Sequence, residues 1–477
     1  MTGEIDFATI KKRTVSGIFT LTFRRIALQA ISFASINLIL ARILPVETIG
    51  IFNIGTSLIA FFAFFSDIGL AASLIQKKDN ITRQDLTTTF TIQQILIGVI
   101  TLVIIALAPL LAQIYQLGDD GVWLIRALSI GFFLSSLKVV PAVVLERELK
   151  FTPLVTVEIV ETLIFNAILV TLAFLNYGLT SFSLATIARG VSGTLLIYVI
   201  APWKVGLGIS RQSATLLLHF GIPYQANALL ALVKDRVVPL VVAKMVGAVG
   251  IGYITWAQAL AFLPLEFMNI IIRVTFPTFS RLQDQQDQLK GAIEKSLYVT
   301  TLVLYPTLAG ILALSPSLVG QIVSSKWQPA LPLIYLFACS TFWASISTTY
   351  TNALTAIGHV KTVLKLMVMW TVLTWILTPL LVWQFGFIGV AYTAAVISFS
   401  SVVTIVVLHR HVKIDLWSNI NKQLVVSLLM GVALYILSPV MVVDWLTLMV
   451  AVLLGGLFYG LLMLIFDRSR LSALLKL

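Results

Sequence analysis

Residues 446–466 read LTLMVAVLLGGLFYGLLMLIF, a stretch of 21 positions without a charge. About 20 apolar residues in a helix span the roughly 30 Å hydrocarbon core of a bilayer. A helix apolar all round must otherwise be buried on every face. Largely apolar runs recur along the 477 residues, as at 159–175, where Glu161 is the one charge. Their period is helical, not the two-residue alternation of an outer-membrane barrel. Composition agrees: 59% of residues are hydrophobic and 11% charged, against about 25% charged in soluble proteins. The fold class expected is an all-α polytopic membrane protein.

Fourteen spans are expected, near 16–41, 48–66, 88–112, 123–143, 154–175, 180–201, 214–243, 250–272, 297–315, 329–354, 363–383, 387–408, 422–442 and 446–466. With the N-terminus inside, 21 of the 32 lysines and arginines fall in cytoplasmic segments, including Lys11, Lys12, Arg13, Lys77, Arg147, Lys365 and Lys422. Only Arg42, Lys244 and Lys326 fall outside. That bias orients the chain with both termini in the cytoplasm. The net charge of +12 is therefore a topology signal, with attraction to membrane lipids secondary and no nucleic acid implied. The basic start precedes an apolar stretch that reaches Arg42 without a small-x-small cleavage site, so it reads as an uncleaved first span.

The lone Cys339 excludes an intrachain disulfide and a multi-cysteine metal site. No phosphate-cradling glycine loop, nucleophile elbow or metal-ligand spacing is present, so no cofactor or metal is expected. The longest outer loops, 113–122 and 316–328, are too short for the folded outer segment that a membrane-bound glycosyltransferase or polymerase uses. The chain is read as a non-enzyme.

The stretch ARILPVETIGIFNIGTSL (41–58) matches AKMVGAVGIGYITWAQAL (243–260) at an offset of 202, pairing Ala41 with Ala243, Arg42 with Lys244, and Gly50 with Gly252. A weaker match joins 176–187 to 384–395. Spans 1–6 and 7–12 thus form two six-helix lobes in parallel repeat, about an axis along the membrane normal. The expected divisions are 1–210, 211–415 and an appended pair of spans in 416–477.

Eight cations remain inside expected spans or at their edges: Arg24, Arg25, Arg126, Lys138, Arg189, Lys234, Arg236 and Arg273. Acids at similar depth are Glu158, Glu161, Asp235 and Glu266, with Asp67 at the inner end of span 2. Lys365 and Lys422 lie at span ends, and spans 9–14 are otherwise free of charge. A charge at the bilayer centre costs about 2.5–3.5 kcal/mol or more, so the excess cations must face water, each other or an anionic ligand. Arg126 and Arg273 lie near span ends and read as snorkelling. Arg24 and Arg25 line a cavity or, if the crossing is 26–43, anchor the interface; the cavity reading is taken forward. Lys138, Arg189, Lys234 and Arg236 are the deeper candidates for anion binding. Glu158 and Glu161 share a helix face and serve as salt-bridge partners or as a titrating site, as do Asp235, Glu266 and Asp67.

The stretches LARILPVETIGIFNIG, FSDIGLAASLIQKKD, PAVVLERELKF, VVAKMVGAVGIGYITWAQALAFLPL and IIIRVTFPTFSRLQDQ resemble Wzx-type flippases. They are most similar to the colanic-acid-exporter-like branch of the multidrug/oligosaccharidyl-lipid/polysaccharide superfamily. The resemblance implies a two-lobed, multi-pass protein of the bacterial inner membrane. It further implies alternating access for an undecaprenyl-diphosphate-linked oligosaccharide, destined for surface polysaccharide, with polymerase machinery as a possible partner. Arg24 and Arg25 would fill the role of span-1 arginines in a lipid II flippase, and spans 13–14 would offer a groove for the lipid tail. The charged Lys234–Asp235–Arg236 run departs from close relatives. An ion-coupled multidrug exporter of the same superfamily is the alternative, but it calls for an acidic cavity.

Overall fold

A computed structural model describes residues 28–66, 68–77, 79, 81–227 and 237–475. Arg24, Arg25, Asp67, Lys234, Asp235 and Arg236 lie outside the described residues. Every regular element among those described is a helix. The chain divides into two compact units, Met1–Gly252 and Tyr253–Leu477.

The first unit contains α1 (Leu28–Ile43), α2 (Val46–Ser66), α3 (Leu70–Gln76), α4 (Arg83–Tyr115), α5 (Gly118–Ser136), α6 (Val139–Arg147), α7 (Phe151–Phe174), α8 (Thr180–Ile200) and α9 (Arg211–Asn227). Helix α10 (Val238–Ala261) runs into the second unit. There follow α11 (Leu265–Arg281), α12 (Gln286–Ser317), α13 (Leu331–Ala356), α14 (Val360–Phe385), α15 (Ile388–Phe399), α16 (Ser401–His409), α17 (Leu416–Met441), α18 (Trp445–Phe466) and α19 (Arg468–Leu475). In the first unit α7 packs on α8, and α5 packs on both α4 and α8; in the second, α12 packs along α17.

Among the described residues, eleven helices are long and apolar enough to cross a membrane, or 12 when the bent pair α5–α6 counts as one span. The first and seventh of the fourteen expected spans run into residues outside those described. Helix α10 joins the expected end of span 7 to the start of span 8, and its break is at Gly247, where φ is 69°. Glycine adopts that conformation without the steric penalty of a Cβ. The segment 277–296, between the expected spans 8 and 9, is not one element. Residues 277–281 end α11, residues 282–285 turn, and the remainder opens α12. The outer loop expected at 113–122 shrinks to two residues between α4 and α5.

Local chemistry explains where helices begin. Thr82 and Asp85 form a reciprocal capping box at the start of α4, and Lys77 donates to the same Asp85 carboxylate at 2.6 Å. Asp444 caps α18 in the same way through Thr447. Such caps satisfy amide groups that a helix start leaves without partners.

Helix α18 separates two faces. Ala451, Gly455, Tyr459 and Met463, four apart, are buried, while Leu446, Met449, Leu453, Leu457, Leu461 and Ile465 are each more than 60% exposed. A continuous apolar face of this size suits lipid rather than water. Small residues on the buried face let α17 approach closely: a Cβ on Gly455 would meet Leu434 Cδ1 at 2.8 Å.

The carboxylate of Asp467, buried just beyond α18, ties three helices together. It accepts from Tyr298 Oη of α12 at 2.9 Å and from Lys422 Nζ of α17 at 2.7 Å. Asp467→Ala should lower stability by about 1–3 kcal/mol by stranding its buried donor. The check is the thermal midpoint of detergent-purified protein, and Asp467→Asn should retain part of the loss-sensitive contact through Tyr298.

Two close glycine contacts join the stretches 41–58 and 243–260. A Cβ on Gly50 would overlap the carbonyl oxygen of Ala248, and one on Gly252 would lie 2.5 Å from the carbonyl oxygen of Val46. At an offset of 202, Gly252 corresponds to Gly50 and Ala248 to Val46. Each glycine thus packs on the residue that matches the other's partner at that offset.

Candidate functional site

The site is built around a break between α5 and α6, which bend by 42°. Pro141 lacks the N–H that would bond the carbonyl of Leu137, so the helix cannot run on unchanged. Tyr198 Oη supplies the missing donor to Leu137 O at 3.1 Å. Thr194 Oγ1 donates to Leu134 O at 2.8 Å. Gln94 Nε2 donates to Ser136 O at 3.3 Å, and Ser136 Oγ donates back to Gln94 Oε1 at 3.0 Å. The break is therefore held from α4 and α8, and it presents Lys138 as the residue that opens α6.

Lys138 Nζ forms an ion pair with Glu161 Oε1 on α7. Arg189 of α8 brings its Nε to 4.0 Å from Glu161 Oε2. Its guanidinium also lies over the Phe165 ring, 5.8 Å from the centroid, within range of a cation–π attraction. Three helices thus direct two cations at one carboxylate. Burial differs sharply among them: the side chains of Glu161, Lys138 and Arg189 are 4%, 17% and 48% exposed. Gly193, one turn beyond Arg189, makes room for the acid, since a Cβ there would overlap Glu161 Oε1.

Chemically, these three side chains set two positive charges against one negative. Lys138 neutralises the buried carboxylate at close range, and Arg189 sits farther off with half its surface accessible. An anion could engage that guanidinium without uncovering Glu161. In a low-dielectric setting such a contact counts for more than in water.

Of the residues singled out from sequence, Lys138, Glu161 and Arg189 come together. Glu158 is half-buried on α7, one turn before Glu161. Glu266 lies in the first turn of α11 in the second unit. Arg273 is exposed, and Arg126 lies over the Trp123 ring at 5.6 Å. Sequence reasoning missed Gln94, Thr194, Tyr198, Phe165 and Gly193. Pro141 was the available signal for the first three, because a proline within a span implies a donor supplied by a neighbour. Among the described residues no three metal-ligating side chains cluster.

A family model described as polysaccharide biosynthesis protein matches residues 39–332, and one described as lipid II flippase MurJ matches residues 235–456. The chain is 26% identical to the lipopolysaccharide biosynthesis protein WzxC of Escherichia coli, over 69% of this chain and 67% of that protein. It is 22% identical to the teichuronic acid biosynthesis protein TuaB of Bacillus subtilis, over 57% of this chain and 56% of that one. Among solved structures it resembles lipid II flippase MurJ in an inward closed conformation, with a TM-score of 0.71, 16% identity, and coverage of 96% of this chain and 100% of that one. An inward-facing multidrug resistance transporter of the MATE family is also similar in fold, with a TM-score of 0.58, 14% identity, and coverage of 82% of this chain and 98% of that one. The first family model spans more than half of the sequence, and the chain belongs to the polysaccharide biosynthesis protein family.

Proposed function

We propose that this chain is a carrier, not a catalyst, that moves an undecaprenyl-diphosphate-linked oligosaccharide from the inner to the outer leaflet of a bacterial inner membrane. It does so by alternating access, as a fourteen-span protein with both termini in the cytoplasm. The names of its relatives support the polysaccharide assignment, and the MurJ-like fold supports a flippase architecture. Residues 1–210 and 211–415 are assigned to the two lobes. Residues 416–477 hold the charge-poor pair α17 and α18, which suits contact with a polyprenyl tail. The lipid-linked glycan and the surrounding lipids are the assigned partners, with polymerase machinery downstream.

The observation that carries this reading is Arg189. Its charge is half exposed while the carboxylate beside it is buried and engaged by Lys138. A phosphate can therefore displace the longer of the two ion contacts and leave the shorter intact. Arg24, Arg25, Lys234 and Arg236 are assigned to the same anion-binding role. Glu158, Glu161, Asp235, Glu266 and Asp67 are assigned to salt bridging or ion coupling. A basic site is ill suited to the cationic drugs that an acidic multidrug exporter would take.

Arg189→Gln tests the reading through surface-glycan export in living cells. Loss of one charge-assisted hydrogen bond, about 1.5–3 kcal/mol, should slow export roughly ten- to hundred-fold. The protein should still accumulate in the membrane, with Arg189→Lys retaining more activity. Normal export by Arg189→Gln would remove Arg189 from the site.

A further inference from the structure

Beside the α2–α10 crossing lies an apolar cavity of about 520 Å³ within the first unit. Phe61 and Phe62 of α2, Tyr115 of α4, and Val241 and Lys244 of α10 form its walls. The crossing at Gly50 and Ala248 brings two backbones together after the Gly247 break of α10, and the cavity lies against the part of α10 that precedes the break. Its volume falls within the roughly 300–1,000 Å³ of small-molecule pockets.

Lys244 is the one charged residue among the described lining residues. Its ammonium donates to the carbonyl of Ile114 near the end of α4. That bond holds the charge at the cavity without neutralising it, and no carboxylate among the described residues pairs with it. In the proposed orientation Lys244 is also one of only three outer lysines and arginines, set against 21 inside. A hydrocarbon cavity has no need of a cation, and the positive-inside bias disfavours one here.

We infer that this cavity is a binding site for an anionic phospholipid of the outer leaflet, one acyl chain among the aromatic side chains and the phosphodiester on Lys244. Charge complementarity selects this occupant. One lysine matches the single negative charge of a phosphodiester, whereas a diphosphate carrier brings at least two. Access from the bilayer is available along α4, where Leu110 and Ile114 are 51% and 39% exposed. The inference rests on the proposed orientation and not on the identity of the glycan cargo.

Native mass spectrometry of purified, delipidated full-length protein tests it, using phosphatidylglycerol against phosphatidylethanolamine. Wild type should retain phosphatidylglycerol about five-fold more strongly, the value of one lysine near anionic lipid. Lys244→Gln should abolish that preference, Lys244→Arg should keep it, and Val241→Trp should weaken both lipids by filling the cavity. Equal retention by wild type, or an unchanged preference in Lys244→Gln, would overturn the site. A polyprenyl phosphate that displaces phosphatidylglycerol from wild type but not from Lys244→Gln would overturn the choice of occupant. Should Lys244→Gln fail to fold, wild type and Val241→Trp decide the matter between them. Glycan export does not enter these readouts, so a failed export assay leaves them standing.

Discussion

Glu161→Ala should lower stability by about 3–5 kcal/mol, the usual consequence of stripping a buried ion pair of one partner. Lys138 would then lie at the α5–α6 break, only 17% exposed, with its charge uncompensated. An interhelical hydrogen bond in a membrane protein averages about 0.6 kcal/mol, so a loss several times larger marks a true buried pair. Lys138→Met combined with Glu161→Gln should be much less destabilised than the sum of the two single changes. That non-additivity separates pairing from ordinary packing. Thermal unfolding in detergent reads all four proteins, and an unchanged midpoint in Glu161→Ala would contradict the ion-pair assignment.

Gly50→Leu is expected to be at least as damaging. The atom that a Cβ would strike at Gly50 is the Ala248 carbonyl oxygen. Backbone cannot swing aside as the tip of a flexible side chain can. Overpacking costs about 1–3 kcal/mol and occasionally more, and here the two helices would have to separate. Even Gly50→Ala should be destabilising, with Gly252→Ala weaker because its Cβ would stand 2.5 Å from Val46 O. Gly456→Ala and Gly460→Ala on α18 are the controls, since nothing lies within 4 Å of a Cβ there. Membrane accumulation and thermal midpoint should fall in the order Gly50→Leu, Gly50→Ala, Gly252→Ala, with the α18 variants unchanged. A wild-type midpoint in Gly50→Leu would show that the two helices do not meet at this point.

Much of the helical layout is legible from apolar runs, because a membrane span must satisfy its own backbone and be long enough to cross. The match of Gly50 to Gly252 at a fixed offset foreshadows the reciprocal crossing. Boundaries were less so: α4 extends to Tyr115 and α12 begins at Gln286, because polar ends continue a helix beyond its apolar core. The site divided in the same way. Lys138, Glu161 and Arg189 stand out as charges in apolar surroundings, and the 3.6-residue period puts Glu158 and Glu161 on one face. Which acid meets which cation depends on how three helices pack, and no local pattern specifies that. The roles of Tyr198 and Gly193 are likewise long-range, one donating to Leu137 O and the other leaving space for Glu161.

The central claim is transport of a lipid-linked glycan, and flipping in proteoliposomes tests it most directly. Purified wild type would be reconstituted with a fluorescent undecaprenyl-diphosphate-linked oligosaccharide, and the fraction accessible to an impermeant quencher followed in time. The expected result is protein-dependent exchange between leaflets that slows in Arg189→Gln while an unrelated phospholipid probe is unaffected. Exchange no faster than in protein-free vesicles, with correctly folded protein present across the range of ion gradients, would contradict the claim.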